Sequence, residues 1–239
     1  LFPVFFLAGL YTGLAFTGWS RGISLLYACA LGGSAAGAAY ALVFTRFLHP
    51  FQLVGACLPL AAAASFFGAP RRDKRIRMAT LAALLAGGAM SLFASGAKLP
   101  FYKQVYPAIN VAGSRVIEEA YSPAGYYMQV DSFAERYDVD LSNNYGLLKA
   151  GGPPPATGLY RDGYRVASLL KPGSGSAYLN AALDAFPYAL RKPSRVLLIG
   201  SGGGFRIRDA FLLGAGRVDA LEPDSVVRRM AADASKDLL

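Results

Sequence analysis

Within the first 97 residues, four stretches carry no Asp, Glu, Lys or Arg: 1–20, 22–45, Phe47–Pro70 and Met78–Ala97. Each has about the 20 residues that a helix needs to cross a hydrocarbon core of roughly 30 Å, so three or four transmembrane helices are expected over residues 1–97. The first run lacks the charged leader and short apolar core of a signal peptide, which makes Leu1–Trp19 a span rather than a leader. Composition agrees: 54% hydrophobic and 16% charged residues, with a mean hydropathy of +0.34, exclude a disordered tail and an ordinary soluble domain. Residues 1–97 hold 7 of the 24 Lys+Arg and 1 of the 15 Asp+Glu, leaving 17 and 14 for the rest, so the +9 charge sits mostly in the apolar part. A basic soluble face is therefore absent, and nucleic acid is not expected as a partner.

The membrane segment carries three further signals. Gly33 and Gly37 with Ser34 and Ala38 form a strip of small residues that favours close helix packing. Arg71-Arg72-Asp73-Lys74-Arg75-Ile76-Arg77 places five basic residues in seven, and such clusters mark the cytoplasmic side. If Met78–Ala97 crossed, all that follows would lie outside the cytoplasm; we therefore expect that run to be re-entrant or packed on the other helices, with both flanks cytoplasmic. Cys29 and Cys57 lie in apolar runs and read as small core hydrophobes, and His49, the single histidine, reads as a loop residue without a role. No metal site is expected. A chain that starts at Leu1 without Met and stops at Leu239 soon after a strand, turn and helix reads as a fragment or a trimmed product.

After a linker over 98–113 the pattern becomes short and β-rich. Arg115–Ala120, Tyr126–Asp131 and Tyr137–Leu141 alternate with turn residues, predicting a small antiparallel β domain over 114–170. Asp162-Gly163 is the tight turn of a hairpin. Leu179, Ala182, Leu183 and Phe186 fall at helical spacing and lead into residues 171–239, the first part of a Rossmann-like domain. There, Arg195-Val-Leu-Leu-Ile-Gly-Ser-Gly-Gly-Gly-Phe is followed by a helical stretch over Ile207–Leu213 and by Arg217-Val-Asp-Ala-Leu-Glu-Pro-Asp. Gly200, Ser201, Gly202, Gly203 and Gly204 form a turn that lets the backbone approach a ligand, and Glu222 at the end of the second strand is placed to accept ribose hydroxyls. The NAD fingerprint needs glycine where Phe205 stands, so a sulfonium nucleoside fits better. Arg206, Arg208 and Asp209 read as a solvated first helical turn.

Taken together, Ser122-Pro123-Ala124-Gly125-Tyr126, Gly158-Leu-Tyr-Arg-Asp-Gly163, Tyr178-Leu179, Phe186-Pro187-Tyr188-Ala189-Leu190 and the Gly200–Glu222 unit resemble the spermidine synthase family of aminopropyltransferases. The resemblance is closest to bacterial members that carry a hydrophobic multi-span segment before the synthase domain. It implies decarboxylated S-adenosylmethionine, or S-adenosylmethionine itself, held by Gly200, Gly202, Gly204 and Glu222, with Asp162 and Tyr178 on the substrate side. It also implies a catalytic Asp on a later strand, beyond Leu239. Three positions depart from the family: Val166 replaces a Gln, Leu179-Asn180 replace His-Glu after Tyr178, and Gly203 replaces an Asp. A dicationic polyamine needs carboxylates to offset its desolvation, so these losses bear on the amine site.

The expected protein is thus an inner-membrane, multi-pass, spermidine-synthase-like protein that binds an S-adenosylmethionine-derived nucleoside. Aminopropyl transfer to an amine is one function; a non-catalytic subunit that keeps the fold as a scaffold, or a methyltransferase on a membrane-borne acceptor, are the alternatives. The expected partners are the lipid bilayer and a protein partner or second copy, because two strands of a nucleotide-binding sheet leave the apolar Val196–Ile199 run without cover.

Overall fold

The computed structural model describes residues 2–68, 74–94 and 100–236. Arg71, Arg72 and Asp73 of the basic cluster, the boundary at Lys98 and the terminal Asp237–Leu239 lie outside the described residues. The chain divides into two compact units, Leu1–Phe47 and Leu48–Leu239.

The first unit holds α1 (Phe2–Gly18), a 3-10 turn over Ser20–Gly22 and α2 (Ile23–Phe44). No residue of α2 is buried, and Leu25, Tyr27, Leu31 and Leu42 project from it exposed. Hydroxyls at the helix ends bond inward: Thr17 Oγ1 donates to the Gly13 carbonyl at 2.6 Å and Thr45 Oγ1 to the Leu42 carbonyl at 2.9 Å.

Among the described residues, α2 is the one helix long and apolar enough to cross a membrane. This overturns the expected three or four spans, and the reason lies in helix length and punctuation. α1 has 17 residues, about 25 Å of helix at 1.5 Å per residue, short of the roughly 30 Å core. α3 (Pro50–Gly68) has Pro59 inside it, where a backbone donor is missing, and α4 (Lys74–Ala94) opens with Lys74, Arg75 and Arg77 in its first turn. α3 and α4 pack on each other within the second unit, burying Ala62 and Thr80. An uncharged run of sequence is thus not the same as an uninterrupted apolar helix.

The rest of the second unit is built on two sheets. β1 (Arg115–Ser122), β2 (Gly125–Asp131), β3 (Thr157–Arg161) and β4 (Tyr164–Leu169) form an antiparallel sheet in chain order. Period-two alternation sends Tyr126, Met128 and Val130 of β2 to one face, where they meet Val105 and Ala108 of α5 (Val105–Asn110). Tyr127, with Leu159 and Leu169, faces the other side, against Val226, Val227, Met230 and Ala231 of the C-terminal helix described below. Tyr137–Leu141, expected as a strand, makes only one isolated bridge, Leu141 with Ala182, next to that of Arg136 with Pro155. The helix expected from 179 to 186 is two 3-10 turns, Ala177–Asn180 and Leu183–Ala185, before α6 (Phe186–Leu190), which carries Pro187 in its first turn.

β5 (Arg195–Ile199) and β6 (Arg217–Leu221) form a parallel pair, joined through α7 (Phe205–Leu212) and followed by α8 (Ser225–Ser235). Phe205 is fully buried and stacks on Tyr137 at 4.1 Å between ring centroids. A core aromatic therefore occupies the position where a dinucleotide fold puts its third glycine. Leu197, Ile199 and Leu221 remain exposed on this pair.

Candidate functional site

The glycine turn lies between the end of β5 and the start of α7, and its backbone needs glycine. Gly200, Gly202, Gly203 and Gly204 all have positive φ, at 87°, 57°, 69° and 99°. At Gly203 the requirement is doubled, because a Cβ there would fall 1.9 Å from the Ser168 carbonyl oxygen. That close approach is used: Leu170 N–H donates to the Gly203 carbonyl at 3.0 Å, and Leu169 bridges to Gly204. The turn is thereby clamped to the end of β4. The carboxylate that the resembling family carries at this position has no room here.

Glu222 directly follows β6, beside the turn. Its Oε2 accepts from both the backbone N–H and the hydroxyl of Ser201, each at 3.2 Å, and its Oε1 accepts from the Asp224 N–H at 3.2 Å. Asp224 in turn caps α8, accepting from the N–H groups of Val226 and Val227 at 3.0 and 3.3 Å. The Tyr127 hydroxyl of β2 donates to Asp224 at 2.5 Å, and Arg161 of β3 reaches it at 3.4 Å. Burial pushes the Asp224 carboxyl up, but the Tyr127 hydroxyl and the two backbone donors outweigh it and hold the group below its usual range. The antiparallel sheet thus fixes the acid loop on one side and the glycine turn on the other.

A cleft of about 610 Å³ opens where these pieces meet, within the roughly 300–1,000 Å³ common for small-molecule sites. Gly200, Gly202 and Glu222 line it from the parallel pair. A Cβ at Gly200 would meet nothing within 4 Å, so the backbone there faces open space. The opposite wall includes Tyr137, Asp138, Arg165 and Ser168. Behind that wall Glu135, 5% exposed, accepts from the Tyr160 hydroxyl at 2.5 Å and pairs with Arg165 at 3.2 Å. Arg165 also donates to Ser168 Oγ at 2.9 Å and to the Arg136 carbonyl, so its charge is countered from within the protein. Burial, aided by the charge of Asp209 and opposed by that of Arg206, pushes the Tyr137 phenol up to about 12, so it stays protonated as a donor at neutral pH.

The residues expected from sequence separate into three groups. Gly200, Gly202 and Glu222 share the cleft, and Ser201, 4% exposed, holds Glu222. Gly203 and Gly204 face away from it, toward Ser168 on β4 and Ser235 on α8. Asp162 and Tyr178 do not line the cleft. Asp162, at φ 52°, shapes the hairpin turn and accepts from the Tyr126 N–H at 3.0 Å. Tyr178 is 1% exposed and donates to Asp209 at 2.7 Å, with Arg208 at 3.0 Å from its hydroxyl. Burial raises Asp209, opposed by Tyr178 and Arg208. Arg208 and Asp209, read from sequence as solvated, therefore belong to a largely buried network, and Arg206 lines the cleft.

Sequence reasoning missed Tyr137, Asp138, Arg165 and Ser168. The one available signal was Arg165 on a strand whose neighbours face a core, which calls for an acid partner; Glu135 lies 30 positions away and is brought in only by the sheet. Among the described residues, no group of three or more His, Cys, Asp or Glu is placed to hold a metal ion. His49, read as a loop residue, sits just before α3 with its ring 4.8 Å from that of Tyr126, and burial lowers its pKa. Compared with models of known protein families, with curated proteins and with solved structures, the chain gives no match.

Proposed function

We propose that this chain binds an S-adenosylmethionine-derived nucleoside in the cleft between the antiparallel sheet and the glycine turn, as a spermidine-synthase-like transferase. The observation that supports it most is the pairing of Glu222 with Ser201. A carboxylate is held at the end of β6, beside a turn whose Gly200 leaves the backbone open to the cleft. Two carboxylate oxygens already oriented by N–H and O–H donors can take a ribose diol at little cost in ordering. The reaction that the resemblance carries is transfer of an aminopropyl group from the sulfonium to an amine. Bringing donor and nucleophile together in one cleft supplies the orientation that such a displacement needs. α2 anchors the protein in a bilayer, which we place at a bacterial inner membrane, with the cleft on the cytoplasmic side where sulfonium nucleosides are made.

The test uses 5′-methylthioadenosine, which keeps the adenosine and the sulfur and lacks the variable tail. Calorimetry on the full chain in detergent should give saturable binding, weakened at least about tenfold by Glu222→Ala, the size expected for lost hydrogen bonds to a charged group. Equal binding by both proteins removes the ribose role, and no binding to the wild type removes the site.

A second reading, a non-catalytic subunit that uses the fold as scaffold, is favoured by the 61%, 80% and 57% exposure of Leu197, Ile199 and Leu221. Contiguous exposed apolar side chains on a sheet call for a cover, and a protein partner or second copy would supply it.

A further inference from the structure

Resting on the nucleoside part of that reading and departing from its aminopropyl transfer, we propose that the cleft takes a nucleoside carrying an intact α-amino acid, S-adenosylmethionine, in preference to the decarboxylated aminopropyl donor, and that Arg206 receives the α-carboxylate. The two ligands share adenosine, sulfur and an amine, and differ in one anionic group. Which cations face the cleft therefore decides between them.

Two arginines line it, Arg165 and Arg206. Arg165 is committed to Glu135 and Ser168. Arg206 is not committed in this way. Its ion pair among the described residues, with Asp184, is long at 3.6 Å, and both side chains are half-exposed or more, at 50% and 59%, so water already competes for it. The side chain reaches the cleft because Gly202 has none: a Cβ on Gly202 would come within 3.1 and 3.2 Å of Arg206 Cγ and Cδ. The aliphatic stem of Arg206 thus lies across Gly202, and its guanidinium reaches the phenol of the buried Tyr137, which also lines the cleft. A fork of N–H donors matches a carboxylate bidentately and offers nothing to an ammonium.

The acids tell the same story from the other side. The tail amine of a decarboxylated ligand is a cation without an adjoining anion, and it needs a carboxylate on the turn side. On the nucleoside reading Glu222 is taken up by the ribose, and position 203 is closed to any side chain by the Ser168 carbonyl. The remaining cleft carboxylate is Asp138, on the facing wall. One acid and one base, Asp138 and Arg206, match the ammonium and carboxylate of a zwitterionic amino acid.

Calorimetry on the full chain in detergent should compare S-adenosylmethionine, S-adenosylhomocysteine, decarboxylated S-adenosylmethionine and 5′-methylthioadenosine. The two carboxylate-bearing ligands should bind at least about tenfold more tightly than the other two, as a charge-assisted pair warrants. Arg206→Gln should remove that preference while leaving methylthioadenosine affinity within twofold. The half-exposed position predicts an unchanged thermal midpoint for the variant, and Arg206→Lys, keeping charge without the fork, should fall between. If methylthioadenosine binds but the decarboxylated ligand is as tight as S-adenosylmethionine, this inference fails and the nucleoside site stands. If Arg206→Gln weakens all four ligands equally, Arg206 does not read the carboxylate. If none of the four binds, both proposals fall.

Discussion

Tyr127, Leu159 and Leu169 of the antiparallel sheet expose none of their surface, whereas Leu197, Ile199 and Leu221 of the parallel pair expose more than half of theirs. Apart from Tyr127 the side chains are all leucine or isoleucine, so the contrast is not one of composition. In the antiparallel sheet, hairpins pair β1 with β2 and β3 with β4, and α5 and α8 cover its two faces. The parallel pair needs crossovers and helices to cover it, and α7 covers only part. Where the two meet, the stable sheet lends its order to the less covered one, through Gly203 against Ser168 and Asp224 against Tyr127. The candidate cleft lies along that seam.

The largest effect is expected at the clamp. Gly203→Ala would set a Cβ 1.9 Å from a backbone oxygen at φ 69°, combining overpacking with left-handed strain, at a cost on the order of 4 kcal/mol. Gly200→Ala, with open space around its Cβ and φ 87°, should cost only about 1 kcal/mol. Denaturant unfolding of both variants measures the gap. Equal small losses would mean that the seam does not hold the turn.

Next in size is the core itself. Leu159→Ala removes a fully buried side chain between β3 and α8 and should cost about 3 kcal/mol. A loss below about 1 kcal/mol would show that this sheet is as loosely covered as the parallel pair.

The seam was also where sequence reading reached its limit. Local signals were legible: Asp162-Gly163 turns a hairpin, and strand, glycine turn, helix, strand and acid follow in the order read from 195 to 222. Each is set by neighbours within a few positions. The count of membrane helices was not legible, since absence of charge says nothing of Pro59 or of a helix that stops at Gly18. The opposite wall of the cleft was not legible either. Glu135 and Arg165 meet through β3 and β4, and Tyr127 meets Asp224 across 97 positions. Tyr178 and Asp162 carry motif signals, yet one is consumed by Asp209 and the other by the Tyr126 N–H.

A smaller effect, and one with a sign, comes from Asp209 within α7 and Asp224 after β6. Asp224→Ala loses a helix cap and the partner of Tyr127, at about 2 kcal/mol together. Because the folded Asp224 lies below its ordinary 3.8, its contribution is present above that value and is lost as pH falls through the lower folded one. Asp209 is raised, so its contribution is complete below 3.8 and declines as pH rises through the raised value. Denaturant midpoints taken across pH 3 to 7 should therefore change in opposite ways for Asp224→Asn and Asp209→Asn. The first flattens the acid loss, and the second flattens the decline above it. Parallel profiles for the two variants would refute the contrast.

The smallest effect belongs to the parallel pair, and it is the sharpest check on the comparison. Ile199 is 80% exposed at the end of β5, beside Leu221, its registered partner, at 57%. Replacing it with Ser removes little buried area, so unfolding of the isolated chain should shift by no more than about 0.5 kcal/mol. The same substitution should lower any tendency of the protein to associate, because an apolar side chain at an open strand is what a partner would cover. Sedimentation of wild type and Ile199→Ser in mild detergent reads that part. A stability loss of about 2 kcal/mol or more would mean that Ile199 is buried in solution, and that the two sheets are covered alike.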